Sequence, residues 1–256
     1  MNSDYKPILF NTAEDVKEIE LYPLHDIHYG NTMHDYKRWD ALKRMILDKP
    51  NRYVLWVGDM IENATRNSKG DIFYQEVPPH EQKMWLRDQF IDLKDRTIGI
   101  IPGNHELRSS KDAGMFPVYD AAVMAGIEDK YRSSFVFIDI GVGLKSNKQR
   151  QVHYVGYCVH KATNQVKFGS VDAIDGIDFF ISGHDHQPTD RPRGKLVYDA
   201  KNKCVAHKNV EYINCGSLMK YGGYAAEGGY RPSAQKLYCI KMSGEKKCIR
   251  TEGFYV

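Results

Sequence analysis

An α/β fold, read as one domain with two mixed sheets packed together and helices outside, is what the sequence predicts. Three observations carry this. The first 140 residues alternate short apolar runs with segments of helical period, the second half is richer in strands, and no linker, repeat or low-complexity tract interrupts them. At 256 residues, 42% of them hydrophobic and 27% charged, the chain is long enough to bury roughly 70–75% of its unfolded surface. That composition excludes disordered, collagen-like and coiled-coil readings.

In chain order, residues 18–25 predict a strand. Over 35–49, Tyr36, Trp39, Leu42 and Ile46 recur three or four apart as one helical face, and Pro50 stops the helix. Residues 52–57 form a nearly continuous apolar run that suits a buried strand. A helix over 81–94 carries Leu86, Phe90 and Leu93 on one stripe, and 97–101 predicts a third buried strand. Five further strands are expected at 134–140, 151–159, 177–182, 211–214 and 237–241, with Gly- and Asn-containing turns between them. Two polar segments, 63–79 and 190–208, exceed plain connections and are candidate functional loops or excursions.

Chemistry-bearing side chains follow four of the predicted strands: Asp26 and His28, then Gly58-Asp59, then Gly103-Asn104-His105-Glu106, then Gly183-His184-Asp185-His186. The carboxyl ends of strands are where α/β sheets place their binding crevice. Asp26, His28, Asp59, Asn104, His184 and His186, with one further histidine, make a nitrogen and oxygen donor set without sulfur. Such a set suits Mn²⁺ first, or Fe, Zn, Ni or Co. So many donors are too many for one catalytic ion that leaves room for water, but they suit two ions sharing a bridging carboxylate. Two divalent ions outweigh the charge of Asp26 and Asp59, so the centre favours hydroxide and phosphate. For the further histidine there are two candidates, His153 and His160, which lie an odd number of positions apart on one strand and face opposite ways. His160 ends its strand, as the other donors do, and is the preferred ligand.

These motifs, DIH at 26–28, GDMIE at 58–62, GNHE at 103–106 and GHDH at 183–186, resemble in kind and order those of the calcineurin-like metallophosphoesterases, as in members from bacteria and phages. The resemblance spans 26–186 and implies a four-layer α/β/β/α sandwich. It also implies one ion on Asp26, His28, Asp59 and His186, and another on Asp59, Asn104, His160 and His184. In that family pattern the ions supply a hydroxide that attacks phosphorus, and His105 is a non-ligand catalytic histidine beside the phosphate. Asp59 anchors both ions. The family's protein phosphatases usually carry Asp-Arg-Gly soon after the Gly-Asp motif; Glu62-Asn63-Ala64 stands in that region here, which disfavours a protein substrate.

Arg108 and Asn104 are the candidate phosphate-binding residues. Glu62 is read as support for the ligands or as a cap, His25 as a packing residue turned from the crevice, and His34, His80 and His207 as surface residues. The segment 190–208 holds Arg191, Arg193, Lys195, Lys201, Lys203 and Lys208 against Asp190 and Asp199, and as a basic hairpin beside the site it would attract polyanions. Tyr221, Tyr224 and Tyr230 among glycines form an aromatic loop suited to stacking on bases or to packing onto the sheet edge. The expected substrate is therefore a phosphodiester in DNA, RNA or a nucleotide. A phosphomonoesterase for a small metabolite, or a non-catalytic scaffold of the same fold, is the alternative. No secretory signal is readable in the first residues and no apolar run is long enough for a bilayer, which makes the cytoplasm the expected compartment. Five cysteines without a C-x-x-C pair argue against a disulfide framework or zinc knuckle.

Overall fold

The computed structural model describes residues 3–68, 72–145, 150–161 and 173–256. Within them the predicted strands form as β2 (Glu18–Leu24), β3 (Arg52–Val57) and β4 (Thr97–Ile101), the last two over the very residues expected. An additional strand, β1 (Ile8–Asn11), precedes them. The second half supplies β5 (Phe135–Lys145), β6 (Arg150–Val159), β7 (Phe179–Ser182), β8 (Thr189–Asp190), β9 (Arg193–Asp199), β10 (Cys204–Asn214), β11 (Leu237–Ser243) and β12 (Ile249–Phe254). Helix α1 (Tyr36–Leu47) is capped by Asp35, whose side chain accepts the Arg38 N–H. Helix α2 (Pro79–Asp92) starts ahead of the predicted boundary because a proline fits the first helical position. Helices α3 (Glu106–Ala113) and α4 (Pro117–Ala125) each end on a left-handed glycine, Gly114 and Gly126.

One five-stranded sheet runs β12-β11-β2-β3-β4, in which β2, β3 and β4 are parallel and β11 is antiparallel to both of its neighbours. The seven-stranded sheet runs β1-β5-β6-β7-β10-β8, with β9 paired to β10; β6, β7 and β10 are mutually parallel. Both sheets are mixed, as the sequence predicts. Along β3, Val54 and Trp56 enter the apolar layer shared with α1, α2 and α4, while Leu55 and Val57 face the layer between the sheets. A strand covered on both sides needs no polar alternation, and that explains its continuous apolar run. Between the sheets, Leu21, Leu55 and Ile101 meet Ile138, Ile140, Tyr154 and Ile181. On the far side of the larger sheet Phe180 and Tyr212 cluster with Phe137, Val155 and Tyr157.

The segment 190–208 is a two-stranded ribbon, in which Lys195 pairs with Lys208 and Tyr198 with Val205. Its direction corrects one expectation. Strand β10 is parallel to β7, and Glu211 lies level with Phe179 at the start of β7, whereas the donor-bearing loop follows its end. Residues Cys204–Val210 therefore run away from the crevice, and at about 3.4 Å per residue the ribbon tip lies roughly 30 Å below the level of Ile213. The basic ribbon extends from the end of the sheet opposite the donors.

Candidate metal centre

The donor loops follow the carboxyl ends of strands, and most of the donors sit in strained backbone. Among the described residues, the non-glycine positions with positive φ are Asp26 (51°), His28 (51°), Asp59 (50°), His184 (78°), His186 (56°), Asn63 (46°) and Lys203 (53°). The left-handed region costs an L-residue roughly 1–2 kcal/mol, and such strain clusters where surrounding structure enforces a functional geometry. Five of the seven are the aspartates and histidines singled out by the sequence motifs. The motif glycines have steric causes. A Cβ on Gly58 would lie 2.6 Å from Gly103 Cα, and one on Gly103 would lie 2.1 Å from Asp59 Oδ1.

The structure gathers these side chains into three overlapping groups, Asp26 with His28 and His186, Asp59 with His160 and His184, and His28 with Asp59 and His105; within each group the donor atoms lie within 4.8 Å of one another. Asp59 Oδ2 lies between the groups, 3.0 Å from His160 Nε2, 3.8 Å from His105 Nε2 and 4.0 Å from His28 Nε2. His186 Nε2 is 3.5 Å from Asp26 Oδ1 and 3.2 Å from His28 Nε2. The residues fit divalent ions. Asp26 Oδ1 and Asn104 Oδ1 are buried without a hydrogen-bond partner, and a buried polar atom without a partner costs about 1–3 kcal/mol. His153, by contrast, is half exposed and bonded to Asp139 at 2.7 Å, away from the cluster.

The imidazoles are oriented from behind. His160 Nδ1 lies 2.7 Å from the Val57 carbonyl and His28 Nδ1 lies 3.1 Å from Glu62 Oε2, so each can donate there and present Nε2 to the centre. Glu62 thus acts as support, and it also accepts from Asn31 Nδ2. Arg108 donates to the Glu62 carbonyl at 3.0 Å and lies 2.9 Å from His105 Nε2, so it stands inside the site. Burial opposes ionisation of Asp26, Asp59 and Glu62, but the surrounding histidines hold all three carboxyls well below their usual range. Burial also lowers His186 to about 4 and depresses His184, which keeps both imidazoles neutral and free to ligate. Around His160 burial works downward, yet the Asp59 carboxylate raises it to about 9; a cation there would take that proton's place.

Four features of the site go beyond the roles read from the sequence. Glu106, entirely buried at the start of α3, accepts the backbone N–H groups of Asp59 at 3.0 Å, Met60 at 2.6 Å, Ile61 at 3.0 Å and Gly103 at 2.7 Å, binding two donor loops together. The run Asn214-Cys215-Gly216-Ser217 after β10 clamps two more: Asn214 Nδ2 donates to the Gly183 carbonyl and to Asp185, and Ser217 Oγ to the Asp26 carbonyl. Its signal in the sequence is an Asn and a Ser flanking a glycine just past a strand. His25 and His34 are the other departures. His25, expected to be a packing residue, bonds to Asp26 Oδ2 at 2.7 Å, and His34, expected on the surface, is buried against Tyr29 and Tyr36 with Nδ1 at 2.7 Å from the Ile27 carbonyl; burial lowers it to about 4. His80 and His207 are exposed.

No protein-family model matches the chain, and no curated protein matches it. Among solved structures it is similar to the calcineurin-like phosphoesterase YfkN from Bacillus subtilis, with 12% identity over 94% of this chain and 90% of that one at a TM-score of 0.41. It is similar also to a metallophosphoesterase from Sphaerobacter thermophilus, with 12% identity over 92% of this chain and 88% of that one at a TM-score of 0.40. A conserved protein of Streptococcus pneumoniae, described as a predicted phosphoesterase, shares 9% identity over 93% of this chain and 90% of that one at a TM-score of 0.39. A likeness this loose assigns no residue roles. Among the described residues no helix is long and apolar enough to cross a membrane.

Proposed function

We propose that the chain is a calcineurin-like metallophosphoesterase that hydrolyses a phosphodiester of a nucleotide or nucleic acid at a centre of two divalent ions. The observation that carries this reading is the position of Asp59 Oδ2 between two ligand groups, with His160 on one side and His28 on the other. Asp26, His28, Asp59 and His186 would hold one ion; Asp59, Asn104, His160 and His184 would hold the other. Held there, divalent ions would supply Lewis acidity toward water and phosphate, with Mn²⁺ the first candidate.

The chain's own groups do the rest. His105, whose Nδ1 lies 3.0 Å from the Glu62 carbonyl, directs Nε2 toward the cluster, where it accepts from Arg108; once a bound phosphate draws that guanidinium away, Nε2 is free to carry a proton to the departing alkoxide, a role typically worth about 10²–10⁴-fold. Arg108, beside that nitrogen, and the Asn104 amide bind phosphate oxygens. The leaning to a nucleotide rests on the aromatic loop. Tyr221 and Tyr230 are exposed and joined by a 2.7 Å bond from the Tyr221 hydroxyl to the Tyr230 carbonyl, and Ser233, just beyond them, donates to the His186 carbonyl. Exposed rings on a loop fastened to a ligand suit base stacking, worth about 1–3 kcal/mol per base.

Chelator-treated protein should lose more than about 100-fold of its hydrolysis of bis-p-nitrophenyl phosphate and regain it with Mn²⁺. Undiminished activity after chelation refutes the metal mechanism. On the substrate side, replacing Tyr221 and Tyr230 together by Ala should raise KM for dinucleotides about tenfold and leave bis-p-nitrophenyl phosphate unaffected. Equal effects on both substrates would remove the base-stacking role.

A further inference from the structure

His25 is enclosed between the loop after β2 and the run after β10. Its Nε2 accepts the Cys215 N–H at 3.0 Å. A ring nitrogen that accepts from the main chain carries no proton, so in the neutral imidazole Nδ1 carries it and donates to Asp26 Oδ2 at 2.7 Å. The same oxygen accepts the His184 N–H at 2.8 Å, and Gly183 lets the chain approach, since a Cβ there would meet His25 Cγ at 3.0 Å. Two donors thus occupy Oδ2. The other oxygen, Oδ1, is buried and unpartnered, 3.5 Å from His186 Nε2 and 3.8 Å from His28 Nε2.

We infer that His25 is a positioning residue that makes Asp26 a one-oxygen ligand, its own tautomer fixed by the Cys215 amide; this rests on the metal centre proposed above. Without the imidazole, Oδ2 loses one of its two donors, and only the His184 N–H then holds the carboxylate against turning about its Cβ–Cγ bond. The effect is one-sided. Asp59 takes its orienting bond from the His105 N–H at 2.8 Å rather than from His25, so the ion held by Asp26, His28 and His186 is the one that suffers. The arrangement also joins the two ligand groups, because the N–H of His184, from the other group, shares the oxygen that His25 holds.

Two substitutions separate the ring's two bonds. An asparagine amide reaches the place of Nδ1 and can donate to Asp26, whereas a glutamine amide reaches the place of Nε2 and can accept from Cys215. Titration of metal-stripped protein with Mn²⁺ in a calorimeter should give His25→Asn both affinities within about threefold of the parent, with a lowered melting temperature. His25→Gln should fold and melt more nearly as the parent does, yet bind one of the two ions about 10- to 100-fold more weakly. Melting each protein with and without Mn²⁺ adds a readout independent of hydrolysis, since the metal-induced rise should shrink only for the Gln variant. Parental affinities in His25→Gln overturn the positioning role, as does equal weakening of both ions in both variants. A parent that binds no Mn²⁺ at all refutes the metal centre itself, a result distinct from either.

Discussion

Asp59 has a positive φ of 50°, follows a glycine no larger residue could replace, and keeps one carboxylate oxygen for the His105 N–H while the other faces three imidazoles. A side chain held in this way at the expense of backbone strain acts by where its free oxygen lies. Asp59→Asn should therefore empty both ion sites and lower kcat/KM on a diester by more than about 100-fold, since even outer partners of metal ligands typically cost 10- to 100-fold. The two candidate histidines, His153 on β6 and His160 just past its end, offer a sharper contrast. His160→Ala should lower the Mn²⁺ content of purified protein by about half, measured by mass spectrometry of the metal. His153→Ala, at an exposed ring bonded only to Asp139, should leave it within about 10% of the parent, as surface changes usually do. The reverse pattern would reassign the ligand.

Elements enter the site through their ends, and Glu106 shows how. It opens α3, where a carboxylate suits the helix dipole, and it spends both oxygens on four main-chain donors of the loops after β3 and β4. Glu106→Ala strands those donors in a buried place, so urea unfolding should show a loss of about 3–5 kcal/mol, with Mn²⁺ affinity falling in parallel. A loss under about 1 kcal/mol would mean that water takes over the carboxylate's task. The donor loops are legible in the sequence because apolar runs such as 52–57 and 97–101 mark buried strands and the residues just past them are of the types that ligate metals. Elements without periodic contrast were not legible. Helix α3, ELRSSKDA, has no apolar stripe, and α4, PVYDAAVMA, is apolar on nearly every side. Strands β1 and β12 lie at sheet edges, and β9 turns Leu196 and Tyr198 to solvent, so its pattern reads as a polar excursion. His34 was misread for another reason. Its burial comes from Tyr29 and Tyr36 folding over it, which no local pattern announces.

At the scale of the molecule, the parallel strands of both sheets end on one edge, and that common direction brings donors scattered from Asp26 to His186 into one crevice. The same directionality sets the reach of the basic ribbon. Strands β9 and β10 carry Lys195 and Lys208 past the start of β7, toward the end where Lys208 and Lys247 contact Asp178. At about 3.4 Å per residue Lys195 and Lys208 lie roughly 17 Å below the level of Ile213 and Lys201 and Lys203 about 30 Å or more, so with a Debye length of about 8 Å at physiological ionic strength these charges are largely screened from a substrate bound there. Replacing Lys195, Lys201, Lys203 and Lys208 together by Gln should thus leave kcat/KM for a small diester, and its dependence on salt, within about twofold of the parent. A marked flattening of the salt dependence would mean that the ribbon's field does reach the bound phosphate, and that strand direction is a poor guide to distance in this sheet.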